Sequence, residues 1–455
     1  MRRKRNPQMT IFEVLGKHPG AKELEQIASI LDASPEILNQ AYTDLVKNRR
    51  VDTGRDGMTA EQVLRCAILK QFRELTYDDL AYYLADSHSF RTFVRLPVGR
   101  YLAKSTLQEN IKSLSEEAWM AIHLFLLAYA RKENIENGRK IRFDSTTVQT
   151  DIHKPTDSSL LWDGVRIITR WLFDGKELKP CPIYSFADHR RVMKKRLLKI
   201  QNTGKQSDRE AAYRDMLFYA TRVVGYAEQA IPELAAFIGA NLEDHCRAHN
   251  LADKLARAIH LLRRVMDQTE RRVFKGEKVP ASEKIVSLFE THTDIIVKDR
   301  RDTAYGHKIF LTSGPSNLIL DCLMERGNPA DADRFLHLLQ RHIELYQRPP
   351  RQTSADGGFA SKGNLAAAKK DGKVKDVVFS KKRGLAVMDM AKSNWVYRKL
   401  KNFRAGIEAN ISTLKRKYGL TRCNWSGWEG FRTYIWSAIV AYNLHVLAHI
   451  KLAKA

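Results

Sequence analysis

Apolar residues recur in steps of three and four near the carboxyl end of the chain, which predicts an amphipathic helix there. This apolar stripe consists of Leu400, Phe403, Ile407, Ile411, Leu414 and Tyr418. Beside it, Arg404, Glu408 and Lys415 follow the spacing Arg-x3-Glu-x6-Lys. At roughly 100° per residue, these three side chains fall within about 40° of one another. One edge of the helix therefore carries a carboxylate that can hold a metal between two cations that can hold a phosphate.

Alternating apolar and polar positions predict several short strands. In the first, residues 140–148, Ile141 and Phe143 share one face and Asp144 lies on the other. A helix is expected at 329–346, and further strands at 292–297, 307–312, 318–324, 352–358 and 374–380. The strand at 352–358 ends in an acidic, glycine-rich loop that contains Asp356. The order of these elements predicts an α/β fold with an RNase H-like mixed sheet.

Helical patterns occupy most of the remaining chain. We expect a helical N-terminal region at 1–135 and an RNase H-like domain at 136–455, with a large helical insertion at about 155–285. A long insertion is compatible with one core, because surface insertions cost little free energy.

Several helix starts can be recognised from capping residues. Ser34-Pro35 is a typical start, while Thr76-x-x-Asp79 and Ser105-x-x-Gln108 both resemble capping boxes. Two short capped helices around a loop that ends at 103–104 fit a helix-turn-helix. They fit an ordinary helical bundle equally well, so the sequence leaves both alternatives open.

The charge balance indicates a polyanionic partner. The 455 residues include 77 Lys and Arg against 52 Asp and Glu, which gives a formal net charge of +25. Such an excess attracts phosphate backbones, so we expect a nucleic acid to be the partner. A solvated basic surface is the alternative explanation, and an anionic membrane is a weaker one.

Other features of the composition favour a cytoplasmic protein. The five cysteines (Cys66, Cys181, Cys246, Cys322 and Cys423) are scattered and contain no Cys-x-x-Cys pair, which argues against a zinc ribbon and a disulfide framework. The basic start, Met1–Arg5, is not followed by an apolar signal region. The apolar run 434–450 is interrupted by Asn443, His445 and His449, so it predicts a buried core helix and no membrane association.

Three acidic residues lie on elements that suit a shared metal site. Asp144 is on the first strand, Asp356 follows a later strand, and Glu408 is on the amphipathic helix. Two-metal phosphoryl transfer needs carboxylates held by rigid elements around a pair of Mg²⁺ ions. Any single Asp is more often a turn former or salt-bridge partner. The competing acids are Asp151, Asp157, Asp163, Asp188, Asp294, Asp299, Asp302, Asp321 and Asp331.

The chain resembles the DDE transposases of bacterial insertion sequences, in particular those with the Arg-x3-Glu-x6-Lys signature, and among these it is most similar to the ISNCY group. The resemblance spans roughly residues 58–450. Three segments carry it: 143–148 with 153–166, then 355–359, and finally the stretch from Arg404 through Glu408 and Lys415 to Asn443.

This resemblance implies a DNA transposase that cleaves the ends of its element and joins the free 3′ hydroxyls to target DNA. Asp144, Asp356 and Glu408 would be the catalytic metal ligands for two Mg²⁺ ions, with Mn²⁺ able to substitute. Arg404 and Lys415 would contact phosphate. The partner would be double-stranded DNA, both element ends and target, bound by a homodimer in a bacterial cytoplasm close to the nucleoid. The helical region 1–135 would be a DNA-binding region.

The chain also departs from the family pattern. Lys401 occupies the position at which the signature has a tyrosine, and only 52 residues separate Asp356 from Glu408. That interval leaves no room for the β-rich insertion that some relatives have there. The insertion of this chain instead follows the strand of Asp144, so functions of the relatives' insertion cannot be transferred to it.

Some signals remain open at this stage. His153 and Lys154 follow Asp144 closely and are candidate DNA contacts, whereas the pair His245 and His249 is more consistent with a solvated helix face than with a zinc site. In the aromatic loop 424–428, core packing of at least one tryptophan is favoured over base stacking. A structure-specific RNase H-like nuclease and a non-catalytic DNA-binding protein derived from a transposase are the alternative functions.

Overall fold

The computed structural model describes Lys4 and residues 18–47, 57–298 and 302–454. The chain divides into two compact units. We call the first, residues 1–151 with 296–455, the sheet unit, and the second, residues 152–295, the helical unit. Apart from Lys4, the basic leader Met1–Arg5 lies outside the described residues, as does the competing acid Asp299.

Seven helices are described before the first strand. They are α1 (Pro19–Asp32), α2 (Pro35–Val46), α3 (Ala60–Phe72), α4 (Tyr77–Asp86), α5 (His88–Val94), α6 (Lys104–Lys112) and α7 (Glu116–Lys132). The capping box at Thr76 is confirmed, because its hydroxyl accepts from the Asp79 N–H at 3.0 Å and the Asp79 carboxylate accepts from the Thr76 N–H at 3.2 Å. The start predicted at Ser105 is wrong, since α6 begins at Lys104 with Ala103 before it. The predicted loop between two short helices also contains α5.

The helical unit is built from four helices: α8 (Asp157–Lys176), α9 (Arg190–Asn202), α10 (Gln206–Ala235) and α11 (Leu242–Thr269). A π-helical turn, Glu270–Phe274, continues α11. The unit has a hydrophobic core of its own, in which the fully buried side chains include Leu161, Ile168, Met216, Val223, Leu255 and Leu262.

A mixed six-stranded sheet forms the centre of the other unit, as predicted for the fold class. Its strands are β1 (Lys140–Gln149), β2 (Asp294–Lys298), β3 (Asp302–Ser313), β4 (Ile319–Met324), β5 (Gln352–Ala355) and β6 (Asp376–Phe379). The strand order is β2-β3-β1-β5-β6, and β4 also pairs with β3. β1 runs antiparallel to β3 but parallel to β5, which in turn runs parallel to β6.

Helices cover this sheet. They include α12 (Asp331–Tyr346), α13 (Lys362–Lys370), α14 (Val387–Met390), α15 (Asn394–Lys417) and α16 (Gly427–Lys454). Among the described residues, one helix, α16, is long and apolar enough to cross a membrane, but 67% of its apolar window is buried inside the protein. Asn443 in the middle of α16 binds both the N–H and the C=O of Ile319, at 2.9 and 2.8 Å, which fixes the helix to the start of β4.

Arg142 of β1 fastens α15 to the sheet. Its side chain is buried and donates to the Phe403 carbonyl of α15 at 2.8 Å and to the Asn317 side chain at 2.6 Å. The guanidinium also lies 4.7 Å from the centre of the Phe403 ring. Gly406 of α15 lies directly against this guanidinium, so a β-carbon at position 406 would collide with it.

We therefore predict that Gly406→Ala destabilises the protein, although alanine normally favours a helix over glycine by up to about 1 kcal/mol. The methyl group displaces Arg142 from its hydrogen bonds, and such overpacking costs about 1–3 kcal/mol. Urea denaturation measures the change in the free energy of unfolding.

The matched control is Gly225→Ala in α10, where a β-carbon meets nothing within 4 Å. This variant is expected to be unchanged or slightly stabilised. Equal stabilisation of both variants would contradict the role assigned to Arg142.

Candidate functional site

Asp144 lies in the middle of β1, on the polar face of the strand. Its side chain is 14% exposed. The backbone N–H of Ser145 donates to Asp144 Oδ1 at 2.8 Å. The carboxylate is therefore held by a central strand and is largely removed from solvent, which limits its movement.

Asp356 lies next to Asp144 because β1 and β5 are parallel. Their register places Ala355, the last residue of β5, beside Phe143. Asp356 follows directly and caps the 3-10 turn Gly357–Phe359. Ser380, just after β6, donates to Asp356 Oδ1 at 2.8 Å and accepts from the Gly357 N–H at 2.9 Å. Ser380 thus orients this carboxylate.

Glu408 comes to the same place from α15, and Arg404 joins the three acids. Arg404 Nη2 lies 3.3 Å from Asp144 Oδ2 and also contacts the Glu408 carboxylate. Its Nη1 lies 3.4 Å from Asp356 Oδ1. A single guanidinium therefore contacts all three carboxylates predicted as metal ligands.

Burial and charge shift the pKa values of the two aspartates in opposite directions. The pKa of Asp144 is raised to about 6, mainly by burial. The negative charges of Asp356 and Glu408 also raise it, whereas the Ser145 N–H and Arg404 lower it. For Asp356, burial also raises the pKa, but the hydrogen bonds from Ser380 and from the loop N–H groups, together with Arg404, outweigh it. The pKa of Asp356 therefore lies below its usual value.

The donor set fits a divalent metal ion. The three residues offer carboxylate oxygens only, which are the ligands that Mg²⁺ and Mn²⁺ prefer. Arg404 already supplies one positive charge to the group, and its contact with each acid indicates that the cluster needs a cation. The three carboxylates can hold metal where β1, the end of β5 and α15 meet. Because Glu408 is half exposed, a phosphate group can reach this place from solvent.

The other predicted site residues lie in different surroundings. Lys415 lies on α15 two turns after Glu408, about 10 Å further along the helix axis. His153 and Lys154 belong to the helical unit. There, His153 Nε2 lies 2.7 Å from Asp163 Oδ2, and both side chains at 153 and 154 are exposed.

Several competing acids are engaged in ion pairs. Asp321 binds Arg341 at 2.6 Å, and Asp157 binds Arg272 at 2.8 Å. Similar pairs join Asp151 to Arg422, Asp163 to Arg166, and Asp188 to Arg190. Asp331 is different, because Ser145, the neighbour of Asp144, donates to it at 3.1 Å while Lys308 binds it at 2.5 Å.

Asp331 is thus a fourth carboxylate beside the site. The sequence analysis placed Asp331 only among the competing acids. It missed Ser380 entirely, since no local pattern links this residue to a carboxylate 24 positions away.

In the aromatic loop, Trp425 is buried, which confirms the expected core packing. Trp428 contacts the buried ring of His307, with ring centres 4.6 Å apart.

Comparison with known families identifies two matching regions. Residues 297–444 match the family described as Transposase DDE domain, and residues 12–113 match the family described as Transposase domain (DUF772). The first match contains Asp356, Arg404, Glu408 and Lys415, and it begins after the helical unit. None of the curated proteins and none of the solved structures matches the chain.

The opposite pKa shifts predict opposite effects of removing the two charges from metal-free protein. Ionised Asp144 costs stability above a pH of about 6, because its folded pKa lies above the unfolded value of 3.8; below about pH 4 this cost is absent. Asp144→Asn should therefore raise the free energy of unfolding at pH 8 by about 3 kcal/mol, and the gain should vanish toward pH 4. Urea denaturation in a chelator gives both values.

Asp356→Asn is the matched comparison. Because the pKa of Asp356 is lowered in the folded state, its charge stabilises the protein at neutral pH, and this contribution is lost as the pH falls below the usual carboxyl range. The variant should be less stable than the wild type at pH 8 and equal to it in acid. Destabilisation by both variants at pH 8 would contradict the assignment for Asp144.

Proposed function

Because this chain is a DDE transposase of the insertion-sequence type, we propose that Asp144, Asp356 and Glu408 bind the divalent metal that this family uses and form its catalytic centre. The observation that carries the proposal is the single guanidinium of Arg404 shared by the three carboxylates. Asp144 of β1, Asp356 just after β5 and Glu408 of α15 converge on this one cation, although Asp356 is 48 residues and Asp144 260 residues away from Arg404 in the sequence.

The metal proposed is a pair of Mg²⁺ ions, with Mn²⁺ able to replace them. Bound there, they would supply Lewis-acid charge and an activated oxygen nucleophile. The chain's own contribution is to fix the donor atoms. Ser380 and the Ser145 N–H hold the two aspartates, and α15 carries the glutamate on a packed helix.

Arg404 is proposed to change partners when the site is loaded. With the carboxylate charges neutralised, its ion pairs weaken, and a guanidinium can donate two parallel hydrogen bonds to a phosphate. Lys415 supplies a second charge further along the same helix. Together they would align the DNA backbone along α15 past the acidic cluster.

The substrate of the enzyme is DNA, in keeping with the transposase family. We further propose that the element ends are held by a homodimer, because two ends have to be joined to one target. The region matched by the second transposase family, 12–113, is the proposed reader of the ends, since short helices such as α4 to α6 can enter a major groove. His153 and Lys154 are proposed as additional DNA contacts.

Glu408→Gln provides the decisive test. The substitution keeps the shape of the side chain but removes the charge needed for a metal, so cleavage of the element's own ends in Mg²⁺ should fall by at least about a hundredfold, while DNA binding is retained. Cleavage is measured on labelled end duplexes and binding by gel shift. Near wild-type cleavage by this variant would rule Glu408 out as a ligand.

Glu344→Gln, an exposed glutamate of α12 in the same unit, serves as the control and should cleave normally. The wild type should also join cleaved ends to a target duplex. Cleavage of junction DNA without strand transfer would instead favour the structure-specific nuclease.

A further inference from the structure

A second group of metal-ligand side chains is formed by residues outside the acidic site. His445 and His449 are one turn apart on α16, and Glu23 reaches them from α1. Their ligand atoms all lie within 4.8 Å of one another. Glu23 Oε1 is 3.1 Å from His449 Nε2 and 3.8 Å from His445 Nε2. We propose that these three residues bind a divalent transition metal ion of the zinc class.

The spacing suits such an ion. Zinc binds histidine nitrogen and carboxylate oxygen at about 2.0–2.2 Å in tetrahedral geometry, which sets the ligand atoms about 3.3–3.5 Å apart. The two measured separations lie on either side of this value. Only small side-chain adjustments would therefore close the three ligands around one ion, with the fourth position facing solvent beside the half-exposed His449.

Neighbouring side chains already hold the ligands in binding orientation. The Nδ1 atom of His445 lies 2.5 Å from the Tyr418 hydroxyl, which leaves Nε2 directed at Glu23. The second oxygen of Glu23 accepts from Arg73 at 3.5 Å, which leaves Oε1 directed at the histidines. Metal-binding histidines and carboxylates are commonly supported by such contacts through their other polar atom.

A hydrogen-bonded cluster without metal explains this geometry less well. The His449 contact with Glu23 is a hydrogen bond, but the 3.8 Å separation at His445 is too long for one. Within the described residues, Nε2 of His445 makes no hydrogen bond to the protein. An ion between the three atoms would engage all of them. The positive charge of Arg73 opposes the ion, so the affinity should be lower than that of closed four-ligand sites.

The chain contains its own matched control. His245 and His249 on α11 have the same spacing, with ring centres 4.5 Å apart. Within the part of the chain that the structure describes, no third ligand completes that pair. If two histidines one turn apart were sufficient, both pairs would bind metal equally. If Glu23 is needed, only the pair on α16 binds.

The test uses the full chain with Asp144→Asn, Asp356→Asn and Glu408→Gln, so that the acidic site cannot compete for the ion. Calorimetric titration with Zn²⁺ should give one site per chain, and Co²⁺ should produce the absorption of a tetrahedral complex. His449→Gln and Glu23→Gln should each weaken binding at least tenfold. His245→Gln with His249→Gln should leave it unchanged.

Excess Zn²⁺ should raise the unfolding temperature by about 2–5 °C, because the ion binds only the folded arrangement of α1 and α16. The His449→Gln chain should lose this rise while keeping the metal-free unfolding temperature, since this side chain is half exposed. Zinc binding that is absent, or that is the same in the His449→Gln and control chains, would overturn the proposal. This outcome is independent of the cleavage experiment.

A different observation points to a second DNA-contacting surface, in the helical unit. Helix α9 contains six basic residues and no acidic one. Arg190 and Arg196 pair with Asp188 and Asp215. The other four, which make no ion pair within the described residues and are all exposed, are Arg191, Lys194, Lys195 and Lys199. They occupy an arc of roughly 140° on the helix.

An aromatic cluster with one exposed ring lies where the start of α9 packs against α10. His189, which precedes α9, contacts the Tyr219 ring at 4.9 Å, and Tyr219 contacts Phe218 at 5.3 Å. Phe218 is 57% exposed, with the Arg222 guanidinium 5.8 Å from its ring centre. Exposed, unpaired cations concentrated on one helix face are typical of nucleic-acid surfaces. We infer that the basic face of α9 contacts the phosphate backbone of duplex DNA, an inference that rests on the DNA substrate of the enzyme.

The experiment replaces Arg191, Lys194, Lys195 and Lys199 with Gln in the full chain. Affinity for duplex DNA is measured by fluorescence anisotropy between about 50 and 250 mM salt, where the release of counterions from DNA changes the affinity strongly. The log–log salt slope should become shallower by about 0.9 for each lost phosphate contact. Element-end and unrelated duplexes should be affected alike, because backbone contacts carry no sequence information.

The matched control replaces four exposed basic residues of α11, namely Arg247, Lys254, Arg257 and Arg263, with Gln. It removes the same charge from the same unit. Equal weakening by both sets, or an unchanged slope in the α9 variant, would overturn the inference. Weakened binding to single strands only would do the same. A cleavage defect of Glu408→Gln remains a separate result, since it does not depend on this surface.

Discussion

The parallel pairing of β1 with β5 is the constraint on which the acidic site depends. Their register sets Phe143 beside Ala355, so the next residues, Asp144 and Asp356, continue side by side. A slip by one residue would turn Asp144 to the opposite face of the sheet. β5 has only four residues, but it is paired on both edges, with β1 and β6. The buried apolar residues Ile141 and Ala355 therefore position two carboxylates by fixing this register.

Helix α15 depends on the same two strands. The Ser354 hydroxyl of β5 donates to the Leu400 carbonyl at 2.9 Å, and Arg142 of β1 holds the Phe403 carbonyl. Further along, Asn410 donates to Ser313 at 2.8 Å. These buried polar contacts occur on one side of the helix, first one turn and then two turns apart, so they set its rotation as well as its position. Glu408 and Arg404 face the aspartates because the helix cannot rotate without breaking several of these bonds.

This arrangement concentrates unfavourable charge at one point. Three carboxylates meet where burial is the largest of the effects that raise the pKa of Asp144 to about 6. Arg404 offsets part of this cost, and its contacts with all three acids make it the internal counter-ion of the cluster. A bound metal ion would fulfil the same electrostatic need more completely. The guanidinium would then be available to a substrate phosphate, which links the stability of the free protein to its chemistry.

Local sequence signals were sufficient for the elements that carry this site. The period-two pattern of β1, the capping box of α4 and the apolar stripe of α15 each depend on residues a few positions apart, and each predicted the observed element. Helix α3 has no apolar stripe, because it is buried on all sides and even contains Arg65, paired with Asp32 at 2.8 Å. Its capping box, Thr59 with Gln62, was a local signal that the sequence analysis missed. The wrong start at Ser105 reflects a similar limit, since a capping pattern inside a helix looks the same as one before it.

Long-range partners were beyond the reach of sequence patterns. The i,i+4 relation of Arg404 to Glu408 was visible, but its contact with Asp144 spans 260 positions. Ser380 and Asp331 reach the site through tertiary packing alone. His445 and His449 looked only like polar interruptions of an apolar run, because their third partner, Glu23, is more than 400 residues away. Each miss involves a contact whose two halves have no common period or motif.

The helical unit explains how a long segment can follow β1 without disturbing the sheet. β1 and β3 are adjacent and antiparallel, with Gln149 opposite Gly306, yet the intervening chain has more than a hundred residues. Lengthening a flexible connection from about 10 to about 150 residues would cost about 2–3 kcal/mol in closure entropy. A segment that folds around its own core does not remain flexible, and its burial of residues such as Leu161 and Leu262 compensates for its own ordering. The pairing of β1 with β3 therefore does not have to offset the closure entropy of a long flexible connection. The segment can then carry a surface as basic as that of α9.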